Sequence, residues 1–195
     1  MKQEDKQAGL GKALDKHLTS PLPLIYRLRT MVFGENQPDR LTKFAFYSGL
    51  VTWFLFFFWH VLQFIVVKNS NWIEKIKRIP INELLEKRAL ELGFEPTIFI
   101  DRLLISYSIS IISWSIFFVG LVLLWRRKQI FSYVVFTALG VAIISPIMLL
   151  GFTYWKLDIS SFDKITEFSI TLLLIFYSYL MKVSIQSNET SENQL

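Results

Sequence analysis

Cysteine is absent from this sequence of 195 residues, and histidine occurs only twice, at His17 and His60. The first absence excludes disulfides, thiolate metal sites and cysteine nucleophiles. The second leaves a bis-histidine haem without its two facing imidazoles, because His17 sits in a polar N-terminal stretch and His60 in an apolar one. The HExxH and ExxH carboxylate patterns of zinc and di-iron sites are missing. So are GxxxxGK[ST], GxGxxG and GxSxG, which removes phosphate loops and nucleophile elbows. No metal, cofactor or catalytic residue is assigned, and the chain is expected not to be an enzyme. Carboxylates are also lacking at the centre of every apolar run, which weighs against a proton-driven motor acting alone.

What the chain has in excess is oil. Hydrophobic residues make up 52% of it, 18 are Phe, and the mean hydropathy is +0.40, more apolar than a soluble fold. The surplus falls in runs free of Asp, Glu, Lys and Arg at 44–67, 103–125, 129–155 and 168–181. A helix rises about 1.5 Å per residue and needs about 20 residues to cross about 30 Å of hydrocarbon, so the first three runs read as membrane spans. The fourth reaches a spanning length only if it includes its flanks, with Glu167 and Lys182 directed to opposite interfaces; a buried amphipathic helix is its alternative. The fold class expected is an all-α integral membrane protein, a bundle of four transmembrane helices at about 44–67, 99–125, 130–152 and 165–185. Residues 41–185 form that membrane domain, preceded by an interfacial amphipathic segment, 1–40, and followed by a disordered polar tail, 186–195. The first apolar run begins only after some forty mostly polar residues and no cleavage-like site follows it, so no secretory signal is expected.

The formal net charge of +5 matters through its distribution, and no nucleic-acid partner is expected. Residues 1–43 carry eight of the 21 Lys and Arg, and the tight link Arg126, Arg127, Lys128 carries three more. Short basic loops near span ends stay on the cytoplasmic side. The link thus places both termini in the cytoplasm of a plasma (inner) membrane protein, with 68–102 and 153–167 facing outward.

Leu10, Leu14 and Leu18 recur every fourth residue, and Arg27 and Arg29 punctuate the apolar "LIYRLRTMVFG", so both N-terminal pieces suit a membrane surface or a partner. The outward loop reads as a helical hairpin, 71–79 and 82–93. Trp72, Ile73, Ile76 and Ile79 share a face, Pro80 stops the first helix, Asn82 caps the second and Gly93 ends it.

Within the spans, Ser106, Ser110, Ser113 and Gly120 fall on one helical face, and Ala138, Ala142 and Ser145 on another, with Pro146 expected to kink its helix. These faces suit close helix packing, or else a polar lining for a substrate path. Tyr107, Tyr133, Tyr154, Trp125 and Trp155 fall near span ends and read as an interfacial aromatic belt.

His60 and Gln63, one turn apart in the most apolar run, lie on the outward side, at the level where Asp101 and Arg102 open the second span and Glu167 the fourth. A lipid-facing imidazole would forfeit its hydrogen bonds at a cost of a few kcal/mol, so His60 is expected to point into the bundle, within reach of the second or fourth span. The five residues then form either a satisfied packing site with headgroup anchors or an outward polar pocket. The leading functional expectation is an accessory or scaffold subunit of a membrane complex, with the lipid bilayer and a membrane protein or a second copy as partners. A small transporter or channel-like protein using the His60 level is the alternative, and a lipid-modifying membrane enzyme is third.

Overall fold

The structure, a computed structural model, describes Thr30, Gly34 and residues 38–192, without the side chains beyond residue 182. The amphipathic pieces read before residue 30 lie outside the described residues. The chain divides into two units, Met1–Gln37 and Pro38–Leu195. The second unit contains six helices and, among the described residues, no strand: α1 (Arg40–Lys68), α2 (Ser70–Lys77), α3 (Ile81–Glu91), α4 (Pro96–Trp125), α5 (Phe131–Leu157) and α6 (Ser161–Glu192). Arg40–Lys68, Pro96–Trp125, Phe131–Leu157 and Ser161–Lys182 are each long and apolar enough to cross a membrane, the fourth segment included.

Local chemistry sets the boundaries. The Asp39 carboxylate accepts the Thr42 amide at 3.0 Å and caps α1. Pro96 opens α4, where its fixed φ and missing N–H cost nothing. The Ser160 hydroxyl accepts the Asp163 amide at 3.0 Å and caps α6. Gly93, at φ +79°, ends α3 in a Schellman turn: Phe94 N–H reaches the Ala89 carbonyl at 2.9 Å and Gly93 N–H the Leu90 carbonyl at 3.1 Å.

Three local expectations need correction. Asn82 does not cap α3: Pro80 holds that position, and the Asn82 amide instead donates across the hairpin to Asn71 and Glu74. The break in α5 falls at Gly151 (φ +86°, ψ 163°), not at Pro146. Those angles are open essentially to glycine alone, whereas a proline can be carried by a helix whose other bonds hold. The segment read as a disordered tail is helical as far as Glu192, because no Gly or Pro interrupts the chain after α6 begins.

The four long helices surround a common interior. α4 packs along both α1 and α5, and α6 packs chiefly against α1 and α5 on the other side. Ser106, Ser110, Ser113 and Gly120 of α4 are buried, as are Ala138, Ala142 and Ser145 of α5. At Gly120 the helices come closest: a Cβ there would stand 3.3 Å from the Val135 backbone nitrogen and closer still to that valine's side chain.

The end of the bundle nearest the Arg126–Lys128 link is shut. Thr42 and Tyr177 hydroxyls bond at 2.8 Å between α1 and α6, the Phe131 ring meets Tyr177 at 5.6 Å, and Phe46 meets Trp125 edge-on at 4.7 Å. Arg127, left-handed at φ 54°, pairs with Asp39 at 2.9 Å. At the opposite end, beside the α2–α3 hairpin, the helices splay.

Candidate functional site

The splayed end encloses a cavity of about 400 Å³ to which all four long helices contribute. α1 supplies Phe56, Trp59, His60 and Gln63; α4 supplies Ser106, Tyr107 and Ser110; α5 supplies Ala142, Pro146, Tyr154 and Trp155. Asp158 and Ser160 in the turn, then Phe162, Asp163 and Glu167 of α6, complete the wall. The helix register explains this set. On α1, 56, 60 and 63 recur at helical spacing on one face, and on α6, 163 and 167 are one turn apart.

His60 is half-buried and lines this cavity. Its Nδ1 lies 2.7 Å from the Phe56 carbonyl of its own helix. A carbonyl only accepts, so Nδ1 carries the proton, and Nε2 of the neutral ring is left as an acceptor. The bond expected from a neighbouring helix is therefore made within α1. The nearest ring on α4 is Tyr107, edge-on at 6.2 Å.

Of the five polar residues expected at one level, the structure brings His60, Gln63 and Glu167 together and leaves out Asp101 and Arg102. Asp101 is exposed. Arg102 is one turn above Ser106, but its long side chain passes over the Phe94 ring at 5.3 Å and donates to the Leu149 carbonyl at 3.3 Å. That carbonyl lies just before the Gly151 break, where the regular ladder of α5 is interrupted, and Arg102 caps it.

Other cavity residues escaped the sequence reading. Tyr107 and Tyr154, assigned there to an interfacial belt, both line the cavity, while Tyr133 stays exposed. The cause is the Gly151 break, which redirects the last turn of α5 and with it Tyr154 and Trp155. Position near a span end could not reveal this; a glycine followed within four residues by three aromatics, Phe152, Tyr154 and Trp155, was the available signal. Asp158 and Asp163 fall within the outward segment 153–167, and the sequence pattern singled out neither. Asp158 is held in a two-pronged grip by Arg88 of α3, Nε to Oδ1 at 2.9 Å and Nη2 to Oδ2 at 2.8 Å, and Glu91 also pairs with Arg88 at 2.5 Å. The two carboxylates hold the Arg88 guanidinium above its ordinary pKa, Asp158 foremost. The hairpin is thereby tied to the cavity rim.

Among the described residues, no three His, Asp or Glu side chains converge as a metal site would require. Comparison with protein-family models, curated proteins and solved structures finds no match for this chain.

Proposed function

We propose that this chain is a four-span membrane protein that admits a small ligand to the cavity around His60 from the outward side, in the manner of a small transporter or a membrane-embedded binding protein. The cavity itself carries the reading: its volume falls in the ordinary range for ligand sites, about 300–1,000 Å³, and it is walled by all four long helices and closed at the link end. The basic link and the basic N-terminal stretch support a plasma membrane orientation with both termini in the cytoplasm and the hairpin outside.

Because the chain has no cysteine, single-cysteine variants report cleanly. With Ser110→Cys, a membrane-impermeant thiol reagent applied outside intact cells is expected to react, whereas Arg127→Cys is not. A reactive thiol at position 127 refutes the orientation, and an inert one at position 110 refutes the open cavity.

The accessory-subunit reading keeps one observation in its favour. α6 is packed less extensively than α4, and Ile165, Phe168, Leu172 and Phe176 leave it an apolar outer face that a partner helix would suit as well as lipid does. Stoichiometric copurification of a membrane protein in mild detergent is its test.

A further inference from the structure

The residues around His60 also define the chemical class of the ligand, an inference that rests on the open-cavity reading above. Among the described residues, the wall contains Asp158, Asp163 and Glu167 and not one Lys or Arg. An anion such as a phosphate or a carboxylate would therefore find no cationic side chain in the wall itself, the nearest being Arg88 and Lys164 at the rim. Asp158 is occupied by Arg88, but among the described residues Asp163 and Glu167 have no ion-pair partner. They stand one turn apart on the same face of α6, an arrangement that costs stability until a cation or a proton relieves it.

The rest of the wall favours an organic cation over a metal ion. Trp59, Tyr107 and Tyr154 contribute aromatic rings to the wall, and cations sit well over such faces, more so when water is excluded. One ammonium already does this at the rim: Lys164 Nζ lies 4.7 Å from the Trp155 ring centroid while donating to the Lys156 carbonyl at 3.0 Å. His60 Nε2, left as an acceptor by the Phe56 bond, adds a receiver for an N–H donor.

We infer that the cavity binds an organic ammonium ion, seated between the Asp163 and Glu167 carboxylates and the aromatic wall. The ammonium is carried either on a small free amine or on the amino headgroup of a lipid.

The test is a single-cysteine variant, Gln63→Cys, placed in the cavity wall in the full chain. It is reacted in phosphatidylglycerol nanodiscs with a trimethylammonium-bearing methanethiosulfonate and, separately, with its sulfonate-bearing counterpart. The ratio of the two rates is divided by the same ratio at Leu84→Cys, an exposed position on α3. The expected normalised ratio exceeds about tenfold, and adding Asp163→Asn and Glu167→Gln brings it towards one, with the melting transition showing that these variants fold. An equal rate for both reagents overturns the cation preference while leaving the open cavity standing. Failure of both reagents to react with the thiol introduced at position 63 overturns the open cavity and this inference together. Protection is then measured with ethanolamine or choline, and in nanodiscs containing phosphatidylethanolamine. Slowing by the free amines assigns a soluble ligand; slowing only in the phosphatidylethanolamine discs assigns a lipid headgroup. Slowing by neither overturns the ammonium ligand.

Discussion

Replacing Gly120 and Gly140 in turn by alanine makes the same chemical change in two apolar helices with opposite expected outcomes. In each case the intrinsic helix preference gains up to about 1 kcal/mol, since glycine is poorer than alanine by that amount in a helix interior. At Gly140 nothing lies within 4 Å of the new methyl, so the gain stands alone. At Gly120 the methyl would meet the Val135 side chain at less than contact distance and the Val135 and Val134 atoms behind it at 3.3 and 3.4 Å. Val135 is fully buried, so its side chain cannot swing out to solvent or lipid, and the 3.3 Å neighbour is backbone. Relief therefore requires α4 and α5 to separate. Overpacking of this kind costs about 1–3 kcal/mol, which exceeds the propensity gain and leaves Gly120→Ala destabilised by roughly 0–2 kcal/mol. At about 2–4 °C per kcal/mol for a chain of this size, Gly120→Ala is expected to melt up to several degrees below the wild type and Gly140→Ala at or above it. The measurement is scanning fluorimetry of the tryptophans in one detergent. A Gly120→Ala protein that melts at or above Gly140→Ala would refute the close α4–α5 contact.

Gly151→Ala is expected to cost about 1–3 kcal/mol from backbone strain alone, since nothing lies within 4 Å of the added Cβ and only the angles at φ +86° oppose it. Labelling of Ser110→Cys should change in this background, as Tyr154 and Trp155 lose their placement; an unchanged rate and melting point would refute the break. Asp39→Ala removes the α1 cap and the Arg127 pair, at a cost of about 1 kcal/mol. Partial burial raises the Asp39 pKa, but the bonds from Thr42 and Arg127 outweigh it and hold the carboxylate below its ordinary value. Its stabilisation is therefore full above pH about 4 and fades as pH falls through the lowered value. The wild-type advantage over Asp39→Ala should narrow in acid, and a gap that widens there would contradict the sign.

The helices were legible because their signals are local and redundant. Charge-free runs and the glycine after Leu92 each act within a few residues, so α1 to α5 are found close to their expected bounds. The small-residue faces were legible too, since helical periodicity alone puts Ser106, Ser110 and Ser113 in line. The cavity was legible only in part. His60, Gln63 and Glu167 share a level that can be counted along spans. Asp101 and Arg102 share it as well, and counting could not show that the Arg102 guanidinium would be drawn off to a carbonyl at the α5 break. That break depends on one glycine, and Gly140, eleven residues earlier, is helical. What distinguishes the two is tertiary, because the turn after Gly151 must bring Tyr154 to the cavity wall that it shares with Tyr107 and Asp158 to Arg88.

That the cavity opens at one end follows from where bulk is placed along the helices. Near the link, large side chains oppose one another across the bundle: Phe46 meets Trp125 and Phe131 meets Tyr177, and Leu124 and Leu174 of α4 and α6 are fully buried. Near the hairpin, the facing positions of α4 and α5 are Ser106, Ser110 and Ala142, too small to meet α1 and α6 across the interior. Space left by small residues between apolar helices would ordinarily close, because an unfilled void forfeits dispersion contacts on every side. Three features hold this one open. Arg88 ties the rim turn outward to the hairpin through Asp158, the Gly151 break turns the end of α5, and two like-charged carboxylates on α6 resist collapse onto each other. Each of the three costs stability or requires a specific partner, and none is needed to fold a four-helix bundle. A cavity maintained against the packing tendency of its own helices, with acceptors unpartnered inside it, is what the ligand site proposed above would require.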